Sequence, residues 1–234
     1  MSQERKIYTS FHDIPPREYM YFPEGSLDAG RPGKFSRIEI THIIISIFIL
    51  TIAFSFWLGG GGLLTNSNYN SIISSIPFAF AGVVTGFFFH ELSHKFMAQK
   101  FNLWAEYRYF PLGLVLALLL SVFTGFVFAA PGAVMFMGGS RYHETGKIAM
   151  SGPLANIIVA FVSFLLFYFF FGTQIGILFG FICFINSLLA AFNLLPFGPL
   201  DGTKIIRWNP TVWIVLLIFS ILLLTQIIQK NPLG

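Results

Sequence analysis

Several apolar runs, each about 20 residues long, constrain the folding of this chain more than any other feature. A run of that length and composition suits a helix that crosses a lipid bilayer. Charged residues make up only 10% of the chain and hydrophobic ones 55%, whereas a soluble domain carries about 25% charged residues. The sequence therefore predicts an all-α polytopic membrane protein with about five to six transmembrane helices. The runs cover roughly residues 38–58, 72–101, 148–172, 175–195 and 212–228.

Polar residues dominate the N-terminal part of the chain before the first apolar run. Residues 1–37 contain six Lys or Arg, five Asp or Glu and four Pro residues, and no apolar segment typical of a signal peptide. We expect an extramembrane tail over 1–37 and a membrane-embedded domain over 38–234. The net charge of +4 includes no basic cluster interleaved with aromatic residues, so we expect no nucleic-acid partner. The single cysteine, Cys183, excludes an intrachain disulfide.

The distribution of Lys and Arg predicts the orientation of the spans, because basic loops stay in the cytosol. The rule places the tail and the loops around Lys95–Arg108 and Lys204–Arg207 in the cytosol. One charge-free stretch between Arg108 and Arg141 is difficult to place. If this stretch crossed the membrane once, every later loop would change sides, and the basic loops would lie outside the cell. We therefore expect 110–137 to enter and leave on the cytosolic side as a re-entrant segment, although hydropathy alone favours a straight helix.

The segment "FHELSH" places three residues with metal-site chemistry at the end of the second apolar run. His90 and His94 lie four residues apart, so a helix presents both imidazoles on one face. Glu91 lies beside them, which completes the H-E-x-x-H pattern of two zinc ligands and a general base. Zinc makes water acidic enough for a carboxylate to take its proton during attack on a carbonyl. The alternative is a pair of interfacial histidines that extend toward the headgroups with Lys95.

A catalytic zinc needs a third protein ligand and an open coordination position. The best candidate is Asp201 in "NLLPFGPLDGTKI", where Pro and Gly residues interrupt the helix after an apolar run. Under the re-entrant topology Asp201 emerges on the same side as His90 and His94. The alternative is a turn or N-cap aspartate paired with Lys204.

Three segments together, "FFFHELSHKFMA", "SGPLANIIVAF" and "NLLPFGPLDGTKI", resemble the site-2 protease family of intramembrane zinc metalloproteases. They span about residues 87–205, which is most of the membrane domain. The resemblance implies one Zn²⁺ per chain held by His90, His94 and Asp201, with Glu91 as the catalytic base. It also implies cleavage of a peptide bond within or near a membrane-spanning segment of a substrate.

The resemblance assigns two further residues to the site and predicts a short strand. Asn156 would face the site and bind substrate backbone or an oxyanion, or else bond to another helix. Asn193 would bind substrate or fix the unwound backbone. In relatives, the region around Pro131-Gly132 forms a β-type element that holds an extended substrate, so we expect such an element near 129–147. The apolar stretch before it, 112–128, is longer here than in the usual family pattern.

Two other functions stay open at this point. A prenyl-protein-type membrane protease would take a glutamate as third ligand, and Glu106 and Glu144 are the downstream glutamates. A non-catalytic scaffold would use zinc as a structural staple while it binds transmembrane segments, although a staple does not need Glu91. Expected partners are the lipid bilayer and the helix of a membrane-protein substrate, with a regulatory partner or a homo-oligomer left open. We expect a prokaryotic cell membrane, with the N-terminus and the active site toward the cytosol.

Overall fold

The computed structural model describes residues 33–62, 68–127, 131–137 and 140–230. Most of the expected N-terminal tail, including His12, lies outside these residues. The described chain contains eight α-helices and two β-strands in the order α1 Arg37–Leu58, α2 Tyr69–Val83, α3 Phe89–Lys100, β1 Trp104–Tyr109, α4 Pro111–Thr124, β2 Gly132–Met137, α5 Tyr142–Phe169, α6 Gln174–Asn193, α7 Asp201–Trp208 and α8 Pro210–Gln229.

Five helical segments are long and apolar enough to cross a membrane. Large apolar side chains such as Ile44, Phe48 and Leu165 are exposed on their outer faces. A surface of this kind is unfavourable in water and suits contact with lipid. The predicted polytopic α-helical membrane fold is therefore confirmed. The segments are Arg37–Leu58, Tyr69–Lys100, Tyr142–Phe169, Gln174–Asn193 and Pro210–Gln229.

The second span is continuous from Tyr69 to Lys100 but changes its helical geometry in the middle. A π-helical turn, Val84–Phe88, joins α2 to α3 and ends two residues before His90. The Asn186 amide of α6 donates to the Thr85 hydroxyl of this turn at 3.1 Å. A π-helical turn changes the direction in which the following side chains point. Its position therefore sets which way the first residues of α3 face.

The charge-free stretch between Arg108 and Arg141 forms an excursion that returns to its starting point. Strands β1 and β2 pair antiparallel, with Trp104 opposite Met137 and Tyr109 opposite Gly132. The Phe110 amide donates to the Pro131 carbonyl at 2.8 Å, which closes the base of the excursion. Helix α4 has 14 residues, or about 21 Å at 1.5 Å per residue. A single straight crossing over 110–137 is excluded, and the expected re-entrant shape is confirmed.

Helix α4 packs along α1 and reaches the far end of that span. A Cβ atom built on Gly125, which ends α4 with a positive φ of 73°, would lie 2.5 Å from the Gly61 Cα atom after α1. The expected β-type element is present as β2, within the predicted window 129–147. Its partner β1 lies where the sequence indicated only a cytosolic loop.

The core contains a small apolar cluster of α3, β1 and α5 around Ala98, and two further clusters. One joins α5, α6, α7 and α8 through buried residues such as Ala160, Leu194 and Ile205. The other joins α1, α2 and α4 through Leu50, Val83 and Leu114. Helix α3 contacts α5 on one side and the two-stranded ribbon on the other. The H-E-x-x-H residues therefore lie at the centre of the fold.

Candidate metal centre

Helix α3 presents two imidazoles to one another inside the protein. His90 and His94 are both buried, with 5% and 7% of their surface exposed. Their Nε2 atoms lie 3.0 Å apart, as expected for residues four apart on one helix face. Lys95 does not accompany them toward a headgroup region, because its side chain is buried in an ion pair with Glu39. The interpretation of the histidines as interfacial side chains is therefore wrong.

Asp201 joins the two histidines from a distant part of the chain. It is the first residue of α7, directly after the turn that follows α6. Its Oδ2 atom lies 3.3 Å from His90 Nε2 and 3.0 Å from His94 Nε2. The turn is fixed from α8, where the Trp213 indole donates to the Leu194 carbonyl at 2.6 Å. The sequence-predicted trio thus converges in space.

The three ligand atoms have the spacing that a zinc ion requires. Ligands at about 2.0–2.1 Å from a tetrahedral zinc lie about 3.3 Å from one another. The three separations here are 3.0, 3.0 and 3.3 Å. Two imidazole nitrogens and one carboxylate oxygen are also ligands that zinc accepts. His90, His94 and Asp201 can therefore hold one metal ion. Among the described residues, no other group of His, Cys, Asp and Glu side chains is close enough together to do so.

Further contacts orient two of these ligands. The His94 Nδ1–H donates to the Ile148 carbonyl at 2.8 Å, which leaves Nε2 with its lone pair toward the site. The Lys204 ammonium lies 3.3 Å from Asp201 Oδ1, the oxygen that does not face the histidines. Burial alone would raise the pKa of Asp201, but the adjacent His94 and His90 rings keep that pKa below its usual range. A carboxylate ligand binds a metal ion in its anionic form. Asp201 thus pairs with Lys204, as the alternative interpretation expected, and at the same time contacts both histidines.

Helix α5 approaches the two imidazoles at Gly152. A Cβ atom built on Gly152 would lie 2.6 Å from His90 Nε2 and closer still to His94 Nε2. Any larger residue would occupy the space between the ligands. The sequence alone did not show that this glycine packs against the two histidines.

The carboxylate of Glu91 lies next to the trio and has a fixed partner. Its Oε2 atom accepts a hydrogen bond from the Val134 amide of β2 at 2.9 Å. It also lines a narrow cleft between α1, α3 and the ribbon. The bond to Val134 restrains one oxygen of the carboxylate and leaves the other to act elsewhere. Sequence reasoning did not identify this contact.

The two asparagines differ in their surroundings. Asn156 is fully buried one helical turn after Gly152, and neither polar atom of its amide has a partner among the described residues. The alternative expected for Asn156, a hydrogen bond to another helix, is therefore not found among the described residues. Asn193 is half-buried at the end of α6 and donates to the Leu189 carbonyl at 3.0 Å. That bond lies within its own helix.

The two downstream glutamates are committed elsewhere. Glu144 accepts from the Arg141 amide at 2.8 Å as part of the capping box of α5. Glu106 is fully buried in β1 and forms an ion pair with Arg108. The structure therefore brings Asp201, and neither glutamate, to the histidines. This arrangement removes the basis for a prenyl-protein-type site.

Comparison with known proteins gives two relatives whose names fit this donor set. The chain is 38% identical over 187 residues to "Putative zinc metalloprotease MJ0611" of Methanocaldococcus jannaschii, covering 78% of this chain and 90% of that protein. It is 29% identical over 161 residues to "Putative zinc metalloprotease YwhC" of Bacillus subtilis, covering 58% of this chain and 70% of that protein. The chain belongs to the zinc metalloprotease family of these relatives. No model of a protein family matches this metalloprotease, and no solved structure matches it significantly.

The family and the fold together define a membrane metalloprotease. Its candidate ligand atoms come from α3, which belongs to the second span, and from α7, which follows the fourth. Neither segment alone completes the set, so the metalloprotease site depends on the packing of α3 and α7 against α5. The contacts of Gly152 and Val134 with the site are the parts that sequence reasoning missed. The first could have been suspected only from the resemblance that includes "SGPLAN", whereas the second is a backbone contact and leaves no trace in residue type.

Proposed function

We propose that this metalloprotease is an intramembrane endopeptidase of the site-2 protease type. It would hydrolyse a peptide bond within or near a transmembrane segment of a membrane-protein substrate. The observation that carries the proposal is the carboxylate of Glu91, which follows His90 on α3 and accepts from the Val134 amide. It accompanies the trio of His90, His94 and Asp201 within a bundle of membrane-spanning helices. A zinc ion that only stabilised the fold would need no such carboxylate.

In this proposal His90, His94 and Asp201 hold one Zn²⁺ per chain. The ion supplies Lewis-acid chemistry, because it polarises a carbonyl and increases the acidity of water. The free oxygen of Glu91 takes the proton from the water that attacks the scissile carbonyl carbon. Glu91 then transfers this proton to the leaving amide nitrogen as the C–N bond breaks. Its Oε2 stays bound to the Val134 amide, which limits the rotation of the carboxylate.

Two asparagines are candidates for holding the substrate. Asn156 is buried one turn from Gly152, and its amide has unused donor and acceptor capacity among the described residues. Such an amide is suited to the substrate backbone or to a developing oxyanion. Asn193 would contribute more weakly, since its amide N–H already bonds to Leu189.

The substrate would bind as an extended strand along the outer edge of β2. The Val134 amide donates to Glu91 and therefore points away from β1. Backbone groups of Gly132 and Phe136 share that direction, because orientation alternates along an antiparallel strand. An extended segment that pairs with this edge lies beside the catalytic base. A substrate helix must unwind locally to bind in this way, which exposes its scissile bond.

We also propose that the site opens toward the cytosol of a prokaryotic cell membrane. Basic residues lie close to the elements that form the site: Lys100 at the end of α3, Arg141 directly before α5 and Lys204 in α7. Basic residues of this kind favour the cytosolic face of a membrane. The matching experiment uses a Cys183→Ser background with single cysteines at positions 140 and 172. A membrane-impermeant thiol reagent should label position 172 from outside intact cells and position 140 only after lysis. The reverse pattern would refute this orientation.

The proposed activity is tested with the purified protein and a model membrane-spanning peptide. We expect Glu91→Gln to retain about one zinc per chain and to lose cleavage, because the amide cannot take a proton. His143→Ala, which changes a histidine at the start of α5 outside the trio, is the matched control and should cleave like wild type. Full cleavage by Glu91→Gln would refute the role of Glu91. A wild type that binds zinc and the peptide without cleavage would favour the scaffold.

A further inference from the structure

The two-stranded ribbon is held by a carboxylate on each of its outer edges at one register position. Tyr107 of β1 lies directly opposite Val134 of β2. The Tyr107 amide donates to Glu39 Oε1 at 3.0 Å, and the Val134 amide donates to Glu91 Oε2 at 2.9 Å. Both amides point away from the partner strand, as in a pair without mutual hydrogen bonds. Glu39 therefore makes the same kind of contact with the outer edge of β1 that Glu91 makes with the outer edge of β2.

Both contacts lead back to α3. Lys95 lies four residues after Glu91, so the two side chains project from the same face of that helix. The Lys95 ammonium forms an ion pair with Glu39, and both side chains are almost fully buried. Helix α3 thus contacts β2 directly through Glu91 and contacts β1 indirectly through Lys95 and Glu39. The ribbon has two connections to the helix that carries the metal ligands.

The Tyr107 side chain extends this connection to the start of β2. Its ring is buried, with 1% of its surface exposed. Its hydroxyl donates to the Pro131 carbonyl at 3.0 Å and lies 2.9 Å from the Ser46 hydroxyl. A Cβ atom on Gly132 would lie 2.5 Å from that hydroxyl, so only glycine fits beneath it. Tyr107 therefore fixes the position of β2 just before Val134.

We propose that Glu39, Lys95 and Tyr107 form a positioning network for the catalytic base. The network holds β2 in register against α3, so that the Val134 amide keeps one oxygen of Glu91 in place. This inference rests on the proposed function, because it assigns the network a role in the same reaction. Glu39, Lys95 and Tyr107 are positioning residues that act on Glu91 through the Val134 amide.

The burial of the ion pair supports a role beyond stability. Two charges taken out of water gain little net stability, and apolar residues of similar volume often replace them without loss. If the ion pair only stabilised the fold, apolar side chains could therefore replace it. If it positions the ribbon, they could not replace it, because the Tyr107 amide would lose its acceptor. This difference makes the inference testable.

The experiment compares two double variants that both remove the ion pair. Glu39→Gln with Lys95→Met keeps an oxygen that can accept from the Tyr107 amide, whereas Glu39→Leu with Lys95→Met does not. We expect both to retain about one zinc per chain. The Gln variant keeps the acceptor for the Tyr107 amide but lacks the link from Lys95, so its kcat should fall about threefold. The Leu variant lacks both and should lose roughly tenfold or more, the usual range for a lost buried hydrogen bond. KM should change little in either.

A second measurement does not depend on activity. Hydrogen exchange of the amides in 132–137 should be faster in the Leu variant, and in Tyr107→Phe, than in wild type or the Gln variant. Tyr107→Phe keeps the ring and the amide, so it provides a test even if the Leu variant does not fold. Equal kcat in the two double variants with full zinc, or unchanged exchange in 132–137, would overturn the network. A wild type without any cleavage would instead refute the proposed function, and the exchange rates would still report whether the ribbon is held.

Discussion

The close approach of α5 to the metal ligands makes Gly152→Ala a sharp test of the site. The added methyl would lie 2.6 Å from His90 Nε2, whereas non-bonded heavy atoms in contact lie about 3.5 Å apart. Relief of this overlap needs a displacement of about 0.9 Å, and metal–ligand distances are acceptable only within about 0.2 Å. The shift exceeds that tolerance more than fourfold. We therefore expect the zinc affinity to fall at least 100-fold, the upper end of the range for disturbed ligand orientation.

The same substitution should leave the metal-free protein folded. Without zinc the two imidazoles can rotate away from the methyl group, and alanine favours a helix over glycine by about 0.5–1 kcal/mol. The melting temperature of the metal-free protein in detergent should therefore stay constant or rise slightly. Ser163→Ala, a small buried change further along α5, is the matched control and should bind zinc like wild type. The assay is a zinc titration against a chelating dye, and stoichiometric binding by Gly152→Ala at wild-type affinity would refute the reasoning.

Three further predictions concern neighbouring parts of the structure. Lys204→Met should weaken zinc binding by less than about tenfold, because Lys204 is partly exposed and contacts only the outer oxygen of Asp201, while Lys204→Arg should restore it in the same titration. Thr85→Val should lower the free energy of unfolding by about 1 kcal/mol, since the buried Asn186 amide loses a partner; an unchanged denaturant midpoint would contradict this. Gly132→Ala should accelerate hydrogen exchange across 132–137 with zinc still bound, because its methyl would displace the Tyr107 hydroxyl. Exchange equal to wild type would show that the contact between Gly132 and Tyr107 is dispensable.

The spans and the pairing of the two candidate histidine ligands could be predicted because their signals are local. The spacing of His90 and His94 depends on one helix, and the hydropathy of each span depends on its own residues. Asp201 was predicted from the Pro and Gly residues before it, together with an orientation drawn from loop charges. The re-entrant shape followed from the same charges, and the antiparallel pairing of β1 with β2 bears it out. These inferences needed no knowledge of long-range packing.

The missed features depend on partners far apart in the chain. Strand β1 is six residues long, and its alternation of buried and exposed positions is incomplete, so it resembled a loop. Glu39 and Lys95 are 56 residues apart, and nothing local indicates that each neutralises the other inside the protein. Helix α5 begins at Tyr142 rather than near Ile148, because a capping box at Arg141 and Glu144 extends it beyond its apolar part. Tertiary contacts decided each of these points.

The central claim is that Asp201 completes a zinc site with His90 and His94. Zinc content per chain, measured after purification for Asp201→Ala and Glu144→Ala, tests it most directly. Both changes delete one carboxylate at the start of a helix, but only Asp201 lies about 3 Å from both imidazoles. We expect about one zinc per chain for Glu144→Ala and almost none for Asp201→Ala. Full zinc occupancy in Asp201→Ala would contradict it.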